Sequence, residues 1–214
     1  NWFLIFFLTN FSHKKLIIFS LKLNLSFWSI FFPRFKVLLI NISTHFSSDR
    51  DVSEYDVLEP PLGLLALLSY LNRELKENVR GKIIKSSVDF DSYSELNEII
   101  KDFKPDLIGV SAMTFHKDFF HESIKEIRKA GYDKMIVTGG PHPTTSYEEV
   151  LKDKNIDICV LGEGEATLKE IVQKLSLKND NKYLVYEDLT KIDGIAFSQE
   201  KFKPSFNLKQ AASS

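Results

Sequence analysis

Short apolar runs and segments of helical periodicity alternate five times between Lys36 and Leu175, and this alternation restricts the fold more than any other feature of the sequence. The run Lys36 to Ile42, KVLLINI, is apolar on successive residues, which suits a strand whose sheet is covered on both faces. Pro60-Pro61 then opens PPLGLLALLSYLNREL, in which Leu64, Leu65, Leu67, Leu68 and Leu71 recur at helical spacing behind a prolyl start. Next come a strand over Lys82 to Lys85, a helix over Ser94 to Phe103 with Ser94 as N-cap, a strand over Leu107 to Ser111, and a helix over His116 to Ala130 stopped by Gly131. A strand over Lys134 to Thr138, a short helix near Ser146 to Leu151, a strand over Ile156 to Leu161 and an amphipathic helix over Ala166 to Leu175 complete the pattern. Helical connections between apolar strands imply a doubly wound α/β domain, with a five-stranded parallel sheet and helices on both faces. Ligands of such sheets bind beyond the carboxyl ends of the strands.

Four loops leave those ends. The first is the long polar segment NISTHFSSDRDVSEYDVLEPP, and the second runs from Ser111 to His116. The third begins in VTGGPHPT, and the fourth is Gly162-Glu163-Gly164-Glu165. Glycines at 139, 140, 162 and 164 on one rim let a flat or elongated ligand press against main chain, with the prolines stiffening the loop after strand four. Familiar phosphate binders are excluded residue by residue. Asn41-Ile42-Ser43-Thr44 stands where a dinucleotide fold needs G-x-G-x-x-G, and no G-x-x-x-x-G-K-[ST] occurs. The acidic, aspartyl and lysyl positions of a phosphorylated receiver domain hold Asn41, Ser111 and Gly162-Glu163.

Lys+Arg 28 against Asp+Glu 29, with no long basic run, excludes charge-driven nucleic-acid binding. The single cysteine, Cys159, excludes a disulfide framework and a self-contained cysteine metal cluster, and points to a reducing, cytoplasmic setting. Inside strand five it reads as a small buried hydrophobe. Glu163 and Glu165, two apart, point in different directions, which argues against a paired-carboxylate catalyst. Glu165 instead charges the first turn of the last helix, where an anion is favoured by roughly 0.3 to 1 kcal/mol.

Residues 1–34 are dense in Phe, Leu, Ile, Lys and Asn without clean periodicity, and are expected not to be native mature sequence. A membrane span is not expected there, because Lys22 and Asn24 would sit at its centre, where a lysine costs roughly 2.5 to 3.5 kcal/mol. The domain is expected over residues 35–176, with 177–214 as a linker.

Four segments, PPLGLLALLSYL, DLIGVSAMTFH, IVTGGPHPTTSYEEVL and DICVLGEGEATLKEIV, together resemble the cobalamin-binding domain that precedes the catalytic barrel of B12-dependent radical SAM enzymes. The resemblance covers roughly Lys36 to Leu175. It implies cobalamin on the carboxyl edge of a flavodoxin- or Rossmann-like sheet, with its nucleotide tail inserted beside the strands and its corrin turned toward the barrel. By the same resemblance Ser111, Gly139 and Gly140 would line the tail slot. Thr114, Pro141, His142, Gly162, Glu163 and Gly164 would lie at or under the corrin edge, and Ser43, Thr44 and Met113 complete the expected contacts.

Family members that ligate cobalt through histidine carry D-x-H-x-x-G after the first strand. Here Ser43 to Ser48 keeps His45 without the aspartate or the glycine, so neither His45 nor the other candidate, His142, is expected to serve as a cobalt ligand. His116 and His121 are expected at the surface. One cysteine cannot form C-x-x-x-C-x-x-C, so S-adenosylmethionine and a 4Fe-4S cluster would be bound outside this chain, in the barrel of a longer parent. YLVYEDLTKIDGIAFSQEKFKPSFN resembles the β-hairpin linker into that barrel. The expected function is a cobalamin-binding module that positions a corrinoid for a methyltransferase-type radical SAM domain, without being a catalyst alone. Two alternatives are a degenerate scaffold lacking the cofactor and a flavodoxin-like module for a flavin or nucleotide. For the latter, Ser43-Thr44 with Ser47-Ser48 is a thin phosphate loop.

Overall fold

The computed structural model describes residues 34–49, 59–177 and 188–198. Readings that fall on residues 1–33, 50–58, 178–187 and 199–214, the middle of the long polar loop after strand one included, lie outside the described residues. Strands β1 (Phe35–Ile42), β2 (Val79–Lys85), β3 (Leu107–Ala112), β4 (Met135–Gly139), β5 (Ile158–Val160) and β6 (Ile195–Ala196) form one sheet in the order β2-β1-β3-β4-β5-β6. The first five are parallel, as expected, and β6, from the segment IDGIAF, adds to the edge antiparallel to β5. The helices are α1 (Leu62–Leu75), α2 (Tyr93–Phe103), α3 (Lys117–Lys129), α4 (Pro141–Thr145), α5 (Tyr147–Val150) and α6 (Glu165–Ser176).

The apolar run of β1 is explained by its two neighbours in depth. Leu38, Ile40 and Ile42 belong to a core shared with Leu96 and Ile100 of α2 and Phe120, Ile124 and Ile127 of α3. Val37 and Leu39 belong to a second core with Leu64, Leu71 and Leu75 of α1 and Leu168, Ile171 and Val172 of α6. Alternate residues of a strand point to opposite faces, so a strand between two helix layers has no polar face. Each such side chain contributes roughly 1.5–3 kcal/mol on burial.

Several boundaries differ from the sequence reading, among them β5, which is Ile158–Val160 rather than Ile156 to Leu161, and three have a clear local cause. Strand β2 begins at Val79 rather than Lys82, because Arg80-Gly81 interrupts the apolar pattern while still pairing with Lys36-Val37. At Gly81 α1 packs close against the sheet: a Cβ there would lie 1.9 Å from Leu68 Cδ1. Helix α2 is capped by Ser92, not Ser94; Ser92 is extended (φ −158°, ψ 160°) and its hydroxyl accepts from Glu95 N at 3.2 Å. The segment after β4 is not a loop, since Pro141 begins the short helix α4, a position where a missing N–H costs nothing.

A polar staple joins α3 to the amino ends of β4 and β5. Asp157, 3% exposed, accepts from Arg128 Nη2 at 2.6 Å and from Ile136 N at 2.8 Å. Arg128 also donates to the carbonyls of Asn155, Tyr132 and Lys134. Removing one partner of a buried charge pair strands the other, at a cost of about 3–5 kcal/mol. Asp157→Ala is therefore expected to lower the urea midpoint by that equivalent, with an unchanged slope. A loss below about 1 kcal/mol would show the staple to be dispensable.

Candidate functional site

From β1 the chain passes to β2 on one side and then returns to β3 on the other, so the connections above β1 and β3 diverge. At that switch point a cavity of about 440 Å³ opens between the sheet and helices α1 and α6. Strand register builds its floor. Leu39 stands beside Gly109, and Gly109 beside Val137. Two residues nearer the carboxyl ends, on the same face, the row becomes Lys85, Asn41, Ser111 and Gly139. The lower row is apolar and the upper row is polar.

Glycine shapes both rows. A Cβ on Gly109 would lie 2.7 Å from Leu39 Cδ2, so its absence lets the Leu39 side chain lie across the floor beside it. Gly140 has φ +89°, and a Cβ there would lie 2.5 Å from Ser111 Oγ, so only glycine lets β4 turn past Ser111. Leu64 and Leu67 of α1 and Leu168 of α6 roof the cavity. The loops after β4 and β5 are tied by Gly162 N donating to Thr144 Oγ1 at 3.2 Å. Glu165 opens α6, where it charges the first turn as expected.

Of the residues singled out from sequence, Ser43, Ser111, Met113, Gly139, Gly140, Pro141, Gly162, Glu163 and Gly164 line this cavity. Thr44, Thr114 and His142 are not among its lining residues. Thr44 N donates to Ser86 Oγ, and Thr114 begins a single 3-10 turn. His142 is 1% exposed, with its ring edge-on to Phe120 and to His121, and neither ring nitrogen has a partner. His45 is exposed and packs on Phe119 and His116, outside the cavity lining. The surface reading of His116 and His121 is corrected: both are half-buried. His116 Nδ1 is enclosed, and His121 Nδ1 sits 2.7 Å from Asp153 Oδ2 because α3 packs against the segment after α5.

Sequence reasoning missed Gly109, Asn41, Lys85 and the Glu59 to Leu64 wall. A glycine inside the apolar run LIGVS was the available signal for the first. The arrangement is one for binding and orientation. Cys159 lies on the opposite core, where burial pushes its thiol up to about 12 despite a contact to Thr138 Oγ1. Among the described residues, no three His, Cys, Asp or Glu side chains converge to hold a metal, and no helix is long and apolar enough to cross a membrane.

Comparison with known proteins places the chain in a family. Residues 51–172 match the profile of a family described as the B12 binding domain. An uncharacterized methyltransferase of Pyrococcus horikoshii is 34% identical over 142 residues, 66% of this chain and 29% of that protein. The anaerobic magnesium-protoporphyrin IX monomethyl ester cyclase of Synechocystis is 35% identical over 96 residues, 44% of this chain and 18% of that protein. Among solved structures, the cobalamin-dependent S-adenosylmethionine radical enzyme OxsB, with aqua-cobalamin and S-adenosylmethionine bound, superposes with a TM-score of 0.61 at 20% identity. That match covers 82% of this chain and 22% of OxsB and shows the shared fold. The chain spans less than a third of the length of each of these relatives.

The buried histidine of α4 is expected to make the fold sensitive to acid. Burial, and then His121, hold His142 below the ordinary imidazole value, with Glu149 opposing and Lys117 assisting. Burial and His45 do the same to His116. The unfolded imidazoles titrate near 6.5, so this stability is complete above that pH and is lost as pH falls toward the lower folded values. The melting temperature is expected to fall between about pH 7 and pH 5, and His142→Leu, with no buried ring to charge, should fall less steeply. Parallel curves for the two proteins would contradict this.

Proposed function

The chain belongs to the B12-binding domain family, and from that membership we propose that it binds cobalamin, with the nucleotide tail in the cavity beneath α1 and α6 and the corrin over the carboxyl rim. The observation that carries this reading is the pair of in-register rows. The tail is a flat apolar benzimidazole joined to a polar ribose and phosphate. The cavity is apolar along Leu39, Gly109 and Val137, then polar along Lys85, Asn41, Ser111 and Gly139. Its volume of about 440 Å³ suits an arm of nucleotide size, within the roughly 300–1,000 Å³ of small-molecule pockets.

Met113 and Leu62, which line the cavity, are 44% and 70% exposed, an apolar surface suited to lie under a macrocycle. Met113, Pro141, Gly162, Glu163 and Gly164 border it, while Ser43, Ser111, Gly139 and Gly140 face the tail. Cobalamin, when bound, supplies the cobalt chemistry, and the residues of this chain supply position and exclusion of water. In the parent protein, residues 35–176 hold the corrinoid and 177–214 lead toward a radical SAM domain that carries S-adenosylmethionine and a 4Fe-4S cluster, in a reducing cytoplasmic setting. The named methyltransferase relative supports methyl transfer as the reaction class of that parent.

Titration of the chain with hydroxocobalamin, followed by its visible spectrum, tests the reading. Saturable binding is expected, with the spectrum of cobalamin whose benzimidazole has left cobalt. Gly109→Val, which fills the floor where only the flexible end of Leu39 must yield, should bind at least tenfold more weakly with little change in melting temperature. A folded wild-type chain that leaves the spectrum unchanged would sink the proposal.

A further inference from the structure

Lys85 is a charged residue held almost out of water, at 7% exposure, on the wall of the cavity. It ends β2 beside Asn41, so it stands at one end of the polar row. Among the described residues, the partner of its ammonium is the carbonyl of Glu59, at 2.6 Å. The nearest carboxylate in sequence, Asp89, is engaged by the Lys85 backbone, accepting from Lys85 N at 2.8 Å. A neutral carbonyl satisfies one of three ammonium protons and none of the charge, whereas buried cations are ordinarily paired with anions. Of the acidic residues lining the cavity, Glu59 meets the Lys85 ammonium through its backbone carbonyl, and Glu163 and Glu165 follow β5, separated from β2 by β1, β3 and β4.

We infer that Lys85 is the anion-binding residue of this cavity and that it pairs with the phosphodiester of the cobalamin nucleotide tail, an inference that rests on the cobalamin reading above. The tail carries one negative group, the phosphate between the aminopropanol arm and the ribose. A benzimidazole seated over Gly109 puts the polar half of the tail at the level of Lys85, Asn41 and Ser111. A charge-assisted contact at that level fixes which way along the row the arm lies, which a symmetric apolar slot cannot do. The Glu59 carbonyl keeps the ammonium in place and links it to the start of α1, where Leu62 N bonds Pro60 O and Leu65 N bonds Pro61 O.

The test uses the chain with Lys85→Gln, which keeps a donor for the Glu59 carbonyl and removes the charge, and Lys85→Arg, which keeps the charge. Cobalamin affinity and the phosphorus-31 resonance of bound cobalamin are the readouts. Lys85→Gln is expected to bind at least tenfold more weakly and to shift the bound phosphodiester resonance, with the visible spectrum of the bound form unchanged. Lys85→Arg should stay within about threefold of wild type. Wild-type affinity in Lys85→Gln, or an identical phosphorus resonance in both proteins, overturns this inference while leaving cobalamin binding intact. A wild-type chain that binds no cobalamin overturns both readings.

Discussion

Alternate residues of β1 are claimed by different helix layers, Leu38, Ile40 and Ile42 by α2 and α3, Val37 and Leu39 by α1 and α6. A slip of one residue would exchange those two sets, so the pairing of β1 with β2 and β3 is held by both cores at once. The cavity inherits this constraint. Its two rows are residues two apart on β1, β2, β3 and β4, and the polarity of each row follows from which side chains that register brings level. A binding site assembled by ladder register has its polar groups set to within the stiffness of the sheet. The adaptable part is the roof, made of leucines from two helices.

Within this frame the glycines have separate jobs. Gly109 removes a side chain from the middle of the floor, and Gly140 supplies a left-handed turn where a Cβ would strike the Ser111 hydroxyl. Gly81 does neither: it lets α1 settle onto β2 through Leu68, which brings the start of α1 over Lys85. The roof, the floor and the buried ammonium are thereby linked through one close helix-to-strand approach. Substitution at Gly81 would reach the site through the packing of α1, without a change at the cavity wall.

The layered α/β architecture was legible because strands covered on both faces must be apolar on successive residues, and five such runs stand between helical segments. Boundaries were lost where one local signal masked another. Arg80-Gly81 hid the start of β2, two nearby serines competed to cap α2, and the prolines of GGPHPT read as loop although Pro141 begins α4. In the site, the glycine rim was visible in sequence because its residues cluster along the chain. Lys85 and the start of α1 were not, because they join the site only through the placement of β2 beside β1, and strand order is not written in any one segment. His142 illustrates the opposite case: it neighbours the rim glycines in sequence, yet the turn of α4 carries its ring into the core against Phe120. This chain matches less than a third of the length of the relatives it resembles.

The most direct test of the central claim is a crystal structure of this chain with cobalamin bound. The account predicts the dimethylbenzimidazole ring detached from cobalt, lying over Gly109 and beneath Leu64 and Leu168, with its phosphate at the level of Lys85 and Ser111. A bound corrinoid with its base still on cobalt and the space above Gly109 filled by solvent would contradict it.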